Sequence, residues 1–298
     1  MKVKSSRIES HSFFSFYYNQ ELSVKSINAK IVSKVSGKYG VVCMIKLIVF
    51  DLDNTLAEHG KGIVASDIEK IKKLENKGIK IAICSGKPVH YLSGFMRQVG
   101  LKKPYLLGEN GAVLQVDVEL PPKELYILPY SQQAKESLKY IKTEIDAVLP
   151  DIWYQPNMVG VSPFPKCEEG FAIIADLLQK NEEKLPDTQV YRHPDCFDII
   201  PVGIDKRAGV HFLAQKLNLT RDEIVAVGDS MNDYPMFAYA GLSLGVNVKD
   251  EKQVNKNFKT ITEVLNYLDA KPESDDWYTL ALEDMDDFVE SQGIYLRQ

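Results

Sequence analysis

A short apolar run that ends at an acidic side chain constrains this chain more than any other feature. Residues 45–50 are apolar except for Lys46, and Asp51 follows them directly. Continuous apolar runs of this length are typical of strands buried on both faces of a parallel sheet. Open α/β sheets bind ligands at the carboxyl ends of such strands, so the sequence predicts a site at Asp51.

The same pattern recurs, in alternation with helical segments. We expect further strands over residues 79–84, 104–107, 224–227 and 242–246. We expect helices over residues 66–76, 88–100, 205–217 and 260–268, and a short one after Asn232. Ser66 is the expected N-cap of the first helix, and Asn110-Gly111 has the chemistry of a tight hairpin turn. This alternation predicts a doubly wound α/β core with a parallel sheet.

Between residues 119 and 198 the pattern changes. Strands are expected at residues 124–129, 152–155, 159–162, 188–192 and 196–200, with helices at 132–149 and 168–182. This order predicts an inserted α+β cap domain with antiparallel pairing. The predicted domains are a discontinuous core (44–118 and 199–270) and a cap (119–198).

The two ends differ from the rest of the chain. Residues 1–43 are basic, with weak hairpin spacing at 30–44, and we expect a dispensable or poorly ordered extension before a functional start at Met44. Residues 271–298 form an acidic tail with helical spacing over 279–289. Whether this tail packs on the core or mediates oligomerisation stays open, as does the oligomeric state.

The composition argues against several function classes. The 298 residues carry a net charge of −5 and contain no long basic run, which argues against nucleic acid or an anionic membrane as the main partner. No apolar run reaches the roughly 18 residues of a membrane span, and the N-terminal residues do not fit a secretory signal. The four cysteines form no CxxC pair, so a zinc ribbon is excluded. We expect buried thiols in a cytoplasmic protein.

Acidic side chains follow two of the predicted strands. Asp51 and Asp53 follow the first strand, and Asp229 and Asp233 follow the strand at 224–227. Four carboxylates at one sheet edge repel one another unless a cation lies among them, and oxygen-only ligands suit Mg²⁺.

Phosphate-binding groups are predicted at the same edge. Ser85-Gly86 ends the second strand and supplies a hydroxyl and N–H groups near a helix start. Lys206 begins another helix and can act as a point charge toward phosphate. Each feature alone has an ordinary interpretation as a helix cap, a turn residue or a solvated charge. Their combination favours a functional site.

These residues resemble the motifs of the haloacid-dehalogenase-like (HAD) phosphohydrolases. Asp51-x-Asp53-x-Thr55 resembles the first family motif, and Ser85 resembles the second. Lys206 resembles the third motif, and Gly228-Asp229-Ser230-x-Asn232-Asp233 resembles the fourth. The position of the cap, together with the segments 108–112 and 198–206, is similar to subfamily IIB. That subfamily includes Cof-type sugar phosphatases, sucrose-phosphate phosphatases, archaeal phosphoglycolate phosphatases and phosphomannomutases. Lys87 and Arg207 depart from the usual residues of that subfamily.

The resemblance implies a role for each motif residue. Asp51 would be the nucleophile and Asp53 the general acid and base. Mg²⁺ would be held by Asp51, the main-chain carbonyl of Asp53, Asp229 and Asp233. The remaining motif residues would bind the phosphoryl group or orient the loops around it: Ser85, Gly86, Lys206, Thr55 and Asn232.

The cap is expected to choose the substrate. Its polar candidates have an equally good interpretation as exposed surface: Tyr154, Gln155, Asn157, Arg192 and His193. Three further histidines are interpreted as structural or surface residues: His59, His90 and His211.

The sequence therefore predicts a Mg²⁺-dependent phosphatase for a small phosphorylated metabolite, either a sugar phosphate or phosphoglycolate. A phosphomutase that uses the same two aspartates is the alternative. A non-catalytic sensor of phosphate ligands is a third interpretation.

Overall fold

The computed structural model of the protein describes residues 45–270. The predicted hairpin at 30–44, the predicted helix at 279–289 and Cys43 lie outside these residues. Among the described residues, no helix is long and apolar enough to cross a bilayer.

Residues 45–270 contain helices and strands in alternation. The α-helices are α1 (Ala65–Asn76), α2 (Val89–Val99), α3 (Gln132–Val148), α4 (Glu168–Lys180), α5 (Lys206–Leu217), α6 (Tyr234–Tyr239) and α7 (Ile261–Asp269). The strands are β1 (Leu47–Phe50), β2 (Lys80–Cys84), β3 (Tyr105–Gly108), β4 (Val113–Val116), β5 (Glu124–Ile127), β6 (Trp153–Tyr154), β7 (Pro163–Phe164), β8 (Thr188–Arg192), β9 (Phe197–Pro201), β10 (Ile224–Gly228), β11 (Leu242–Val246) and β12 (Lys256–Phe258).

One eight-stranded sheet forms the core, in the order β12-β11-β10-β1-β2-β3-β4-β5. The strands from β12 to β3 are parallel, and β4 and β5 add to the edge in antiparallel pairing. In the central register Phe50 lies opposite Val227 on one side and Ile83 on the other. The carboxyl ends of β1, β2 and β10 therefore meet at one edge, as a doubly wound sheet requires. The predicted fold class is confirmed.

The central strand is buried on both faces, which explains its continuous apolar sequence. Ile48 and Phe50 pack into one apolar cluster with side chains of α1, α2 and α7. Leu47 and Val49 point the other way, into a cluster with α5 and α6. Each fully buried side chain of this size stabilises the fold by about 1.5–3 kcal/mol. The packing of β1 therefore fixes the position of the backbone at Asp51.

A separate apolar cluster holds the inserted α+β unit together. It joins α3, α4 and β9, with Ile141, Ile145, Ile174 and Ile199 fully buried. Two short antiparallel pairs, β6 with β7 and β8 with β9, lie beside these helices, and a bridge from Val161 to Ile199 connects them. This unit therefore has an apolar core of its own.

Two expectations about the cap strands are wrong. The strand expected at 124–129 is β5, which pairs with β4 in the central sheet rather than with the cap. The partner of β6 is Pro163–Phe164 instead of residues 159–162, because Val161 bridges to β9 and residues 158–160 turn toward Glu109. With β5 in the sheet, we place the start of the cap after Ile127 rather than at residue 119.

Three smaller expectations also need correction. Val64 rather than Ser66 occupies the N-cap of α1, without a side-chain hydrogen bond, because the helix begins at Ala65, two residues before the start that a Ser66 cap requires. The edge strand β12 was not expected from its sequence. Among the described cysteines, Cys84 and Cys196 are buried thiols as expected, whereas Cys167 is exposed.

Candidate active site

Three carboxylates converge at the carboxyl edge of the central strands. Asp51 follows β1 and Asp229 follows β10, and a short 3₁₀ turn then brings Asp233 back to the same point. One carboxylate oxygen from each residue lies within 4.8 Å of the other two. Aspartates 51, 229 and 233, predicted from distant motifs, therefore form one cluster.

Lys206, the first residue of α5, is fully buried between two of these carboxylates. Its Nζ donates to Asp51 Oδ1 at 2.6 Å and to Asp233 Oδ1 at 2.5 Å. Burial alone would lower the pKa of Lys206, but Asp233 and Asp51 outweigh it and raise the pKa above its usual value. The buried cation is therefore stable only because both carboxylates face it.

One lysine does not balance the three carboxylates. Burial raises the pKa of Asp51 to about 7. The Lys206 charge lowers this pKa, whereas the charges of Asp233 and Asp229 raise it further. Burial and the Asp233 charge raise the pKa of Asp229 to about 6. A cluster of oxygen donors with excess negative charge fits a divalent, oxygen-preferring cation such as Mg²⁺, which favours the ionised carboxylates.

Backbone groups fix the orientation of Asp233. Its Oδ2 accepts hydrogen bonds from the N–H groups of Asp229 and Ser230 at 2.9 and 3.0 Å. A Cβ at Gly228 would overlap the Asp233 carboxyl, so a glycine is required at this approach. Thr55 Oγ1 donates to Asp229 Oδ1 at 3.1 Å and joins the first motif to the fourth.

Asp53 lies beside the carboxylate cluster, and its carboxyl oxygens are not part of it. Its side chain is 26% exposed, so it can meet a substrate that enters from solvent. Lys87 Nζ is 3.7 Å from Asp53 Oδ2, and His59 Nδ1 is 3.4 Å from Asp53 Oδ1. His59, interpreted from sequence as structural or surface, therefore faces a predicted catalytic carboxyl. No pattern in the sequence pairs these two residues.

The predicted phosphate-binding residues lie at the neighbouring strand end. Ser85 is buried, and its Oγ accepts a hydrogen bond from the N–H of Lys87 at 3.2 Å. The backbone of Ser85 is held by Leu107 on one side and by Asn110 on the other. Asn232 accepts from Ser230 Oγ at 2.8 Å and lines the crevice beside Lys206.

Two of the cap candidates reach the site. Gln155 Nε2 donates to the carbonyl of Gly86 at 2.9 Å and to Asn157 Oδ1 at 2.8 Å. His193 lines the crevice with Lys206 and Asn232, a space of about 40 Å³. Arg192 and Tyr154 do not line it: Arg192 lies over the Phe171 ring, and Tyr154 borders a different cavity.

The remaining two histidines take different positions. His90 is an exposed residue at the start of α2. His211 Nδ1 lies 3.1 Å from the Tyr239 hydroxyl, and burial lowers the pKa of His211. Neither lines the crevice.

Two buried acids that attach the cap to the core had no role assigned from sequence. Glu109 accepts hydrogen bonds from the N–H groups of Met158, Val159 and Gly160 at 2.7, 2.8 and 3.3 Å. Burial raises the pKa of Glu109, and these donors oppose the rise. The resemblance to subfamily IIB included residues 108–112, but it did not indicate that Glu109 binds the cap.

Asp198 is the second of these acids. It accepts from Ser162 Oγ at 2.6 Å and from Asn110 Nδ2 at 3.0 Å, and His193 Nε2 lies 3.2 Å away. Burial would raise the pKa of Asp198, but His193 and these hydrogen bonds hold it below its usual value. The Asp198 carboxylate in turn raises the pKa of His193.

The family follows from comparison with known proteins. A family model described as sucrose-6F-phosphate phosphohydrolase matches residues 44–271, three quarters of the chain. The chain belongs to this family of HAD-like phosphohydrolases. The predicted resemblance is confirmed, and the chain is a phosphoric monoester hydrolase by membership.

Curated relatives share less than 30% of their residues with this chain. A phosphoglycolate phosphatase of Thermoplasma volcanium is 28% identical over 199 residues, which cover 65% of this chain and 81% of the relative. The 5-amino-6-(5-phospho-D-ribitylamino)uracil phosphatase YcsE of Bacillus subtilis is 24% identical over 231 residues, 74% of this chain and 91% of the relative.

Solved structures share the fold. A structure from Eubacterium rectale aligns with a TM-score of 0.61 at 19% identity, covering 76% of this chain and 99% of the other. The HAD subclass IIB sugar phosphatase BT4131 aligns with a TM-score of 0.58 at 19% identity, covering 75% and 98%.

Proposed function

We propose that the protein is a Mg²⁺-dependent phosphatase that hydrolyses a small phosphorylated metabolite, a sugar phosphate or phosphoglycolate, through an aspartyl-phosphate. Its proposed place of action is the cytoplasm, where thiols such as Cys84 stay reduced. The observation that carries the proposal is the convergence of three buried or half-buried aspartates, two of which bind the ammonium of Lys206.

Asp51 is the proposed nucleophile. Its carboxylate attacks phosphorus, the bond to the leaving oxygen breaks, and the phosphoryl group stays on Asp51 until water removes it. Burial raises the pKa of Asp51 to about 7, so the charged nucleophile needs positive charge nearby. Lys206 supplies part of that charge at 2.6 Å.

Asp53 is the proposed general acid and base. It is two residues from Asp51, more exposed, and outside the carboxylate cluster, as a group that exchanges protons with substrate and water must be. Lys87 and His59 face its two oxygens and would hold the carboxyl toward the leaving group.

The transferring phosphoryl group needs donors that are already in place. Lys206, the Ser85 hydroxyl and the N–H groups around Gly86 are the proposed donors, with Thr55 and Asn232 holding the surrounding loops. Bound Mg²⁺ would supply further positive charge to the phosphoryl oxygens, held by Asp51, the Asp53 carbonyl, Asp229 and Asp233.

A narrow crevice of about 40 Å³ lies between Lys206 and the cap residues Tyr191 and His193. Its place beside the cap supports a substrate that cap side chains contact. The curated relatives include phosphoglycolate phosphatases, which supports phosphoglycolate as one candidate substrate.

The test is phosphate release from a panel of sugar phosphates, phosphoglycolate and p-nitrophenyl phosphate, with Mg²⁺ and with EDTA. We expect Mg²⁺-dependent release by the natural chain and none by Asp51→Asn. Lys166→Gln, an exposed cap residue outside the crevice, is the control and should keep full activity. No release by a folded, Mg²⁺-loaded natural chain would refute the phosphatase and favour the phosphomutase alternative.

A further inference from the structure

A second cavity lies in the cap, apart from the active-site crevice. Its volume is about 470 Å³, within the range of small-molecule sites. Helix α3 forms one wall and the segment 154–162 forms the other. The two cavities have no lining residue in common. The proposed reaction therefore leaves this second space unexplained.

Three lysines of α3 line the cavity. Lys135, Lys139 and Lys142 are spaced by four and three residues, so they share one helix face. Like charges at this spacing destabilise a helix by a few tenths of a kcal/mol, because they repel one another. The chain as a whole is acidic, with a net charge of −5, but these three lysines place positive charge on one wall of the cavity.

The charges of these lysines are poorly balanced within the described residues. Lys142 has a partner, Asp146, at 2.8 Å, and its ammonium lies 4.2 Å from the centre of the Tyr154 ring. Lys135 and Lys139 have no carboxylate partner among residues 45–270. No aspartate or glutamate is among the residues that line the cavity. An anion would remove this repulsion.

The other wall connects the cavity to the active site. Gln155 donates to the carbonyl of Gly86, next to the phosphate-binding Ser85. Met158 and Val159 donate to Glu109, and Ser162 donates to Asp198. A molecule in the cavity would touch the segment that makes all of these contacts.

We propose that this cavity is a second anion site, which binds a small metabolite with two or more negative charges on phosphate or carboxylate groups. Occupancy shifts the segment 154–162 and, through Gln155 and Glu109, changes turnover in the crevice. The binding part is independent of the proposed phosphatase activity, whereas the effect on turnover rests on it.

Binding is measured by calorimetry on full-length Asp51→Asn, which does not turn over substrate. The probes are citrate and fructose 1,6-bisphosphate, without added metal. Lys135→Gln/Lys139→Gln in this background removes the two unpaired charges. Lys166→Gln/Lys252→Gln removes two exposed charges elsewhere and is the control of equal net charge. Both pairs are exposed, so the fold is retained.

We expect at least one probe to bind, with an affinity about tenfold or more lower in Lys135→Gln/Lys139→Gln than in the control. The probe that binds identifies phosphate or carboxylate as the preferred group. Equal affinity in both double variants would overturn the site. No binding of either probe at about 10 mM, tenfold above a millimolar Kd, would also overturn it.

The effect on turnover is measured with p-nitrophenyl phosphate on chains that keep Asp51. The bound probe should change KM or kcat by about fivefold in the natural chain and in the control, and by much less in Lys135→Gln/Lys139→Gln. Binding without any change in KM or kcat would overturn the coupling. Absence of hydrolysis by every chain would refute the proposed function and leave the calorimetric result standing.

Discussion

Glu109 offers the sharpest test of how the cap is held on the core. Its carboxylate accepts three backbone N–H groups, from Met158, Val159 and Gly160, although 49 to 51 residues separate it from them. The perturbation is Glu109→Ala, which removes every acceptor. Glu75→Ala is the control, because Glu75 also accepts three backbone hydrogen bonds, two from the N–H of Lys102 and one from that of Lys103, and these bonds are exposed to solvent.

The expected cost follows from the burial of each donor. The bond from Val159 is buried, and an unsatisfied buried donor costs about 1–3 kcal/mol. The donors at Met158 and Gly160 are half-buried, and losing their bonds costs about 0.5–1.5 kcal/mol each because water can replace the acceptor in part. We therefore expect a loss of about 2–6 kcal/mol for Glu109→Ala and under about 1 kcal/mol for Glu75→Ala, whose bonds are open to water.

The local assay is hydrogen exchange at the three amides. In Glu109→Ala, the amides of Met158 and Val159 should exchange much faster, while those of the central strand β1 keep their protection. Urea unfolding of both variants gives the free-energy difference, and phosphate release gives KM. Because the cap loop positions Gln155 on Gly86, KM should rise more than kcat falls.

Two results would refute this reasoning. Unchanged exchange at Met158 and Val159 would mean that other contacts hold the loop. Equal destabilisation by Glu109→Ala and Glu75→Ala would mean that burial of the acceptor does not set the cost.

Three further predictions concern the remaining charged groups. Lys206→Met leaves two carboxylates facing each other, so it should lose about 3–5 kcal/mol of stability without metal, and added Mg²⁺ should restore part of the unfolding midpoint; an unchanged midpoint would contradict this. Gly228→Ala should displace the Asp233 carboxyl and raise the Mg²⁺ concentration needed for half-maximal phosphate release; an unchanged Mg²⁺ titration would refute the overlap. The pKa of His193 is raised above its ordinary value of 6.5, so this group stabilises the fold below pH 6.5, and that stability is lost as the pH rises through the pKa of the folded state. The pKa of Asp198 is lowered below its ordinary value of 3.8, so this group stabilises the fold above pH 3.8, and that stability is lost on acidification. Urea midpoints should therefore fall above pH 6.5 in the natural chain and stay flatter in His193→Gln; parallel profiles would contradict the pairing.

Local sequence was sufficient for the elements that depend on continuous burial. The strands β1, β2 and β10 follow from uninterrupted apolar runs, because each is covered by helices on both faces. Parallel strands end at one edge, so the acids after β1 and β10 were expected to meet there, and Asp51, Asp229 and Asp233 do lie together. The family was predicted from the same motifs.

Contacts between the cap and the core could not be predicted from local sequence patterns. Nothing between residues 109 and 158 encodes their hydrogen bond, since it forms only where the cap meets the β3–β4 turn. The sequence pattern also places β5 in the cap, because its pairing with β4 is set by the tertiary structure rather than by its own residues.

The sequence by itself determined the central strands β1, β2 and β10, the motifs and the family, because these rest on neighbouring residues and on strand direction. Only the tertiary structure decided that His59 faces Asp53, that Gln155 binds the Gly86 carbonyl, and that three lysines line one wall of a cavity. Each of these depends on where separate loops and helices come to rest, and that is fixed by packing over long chain separations.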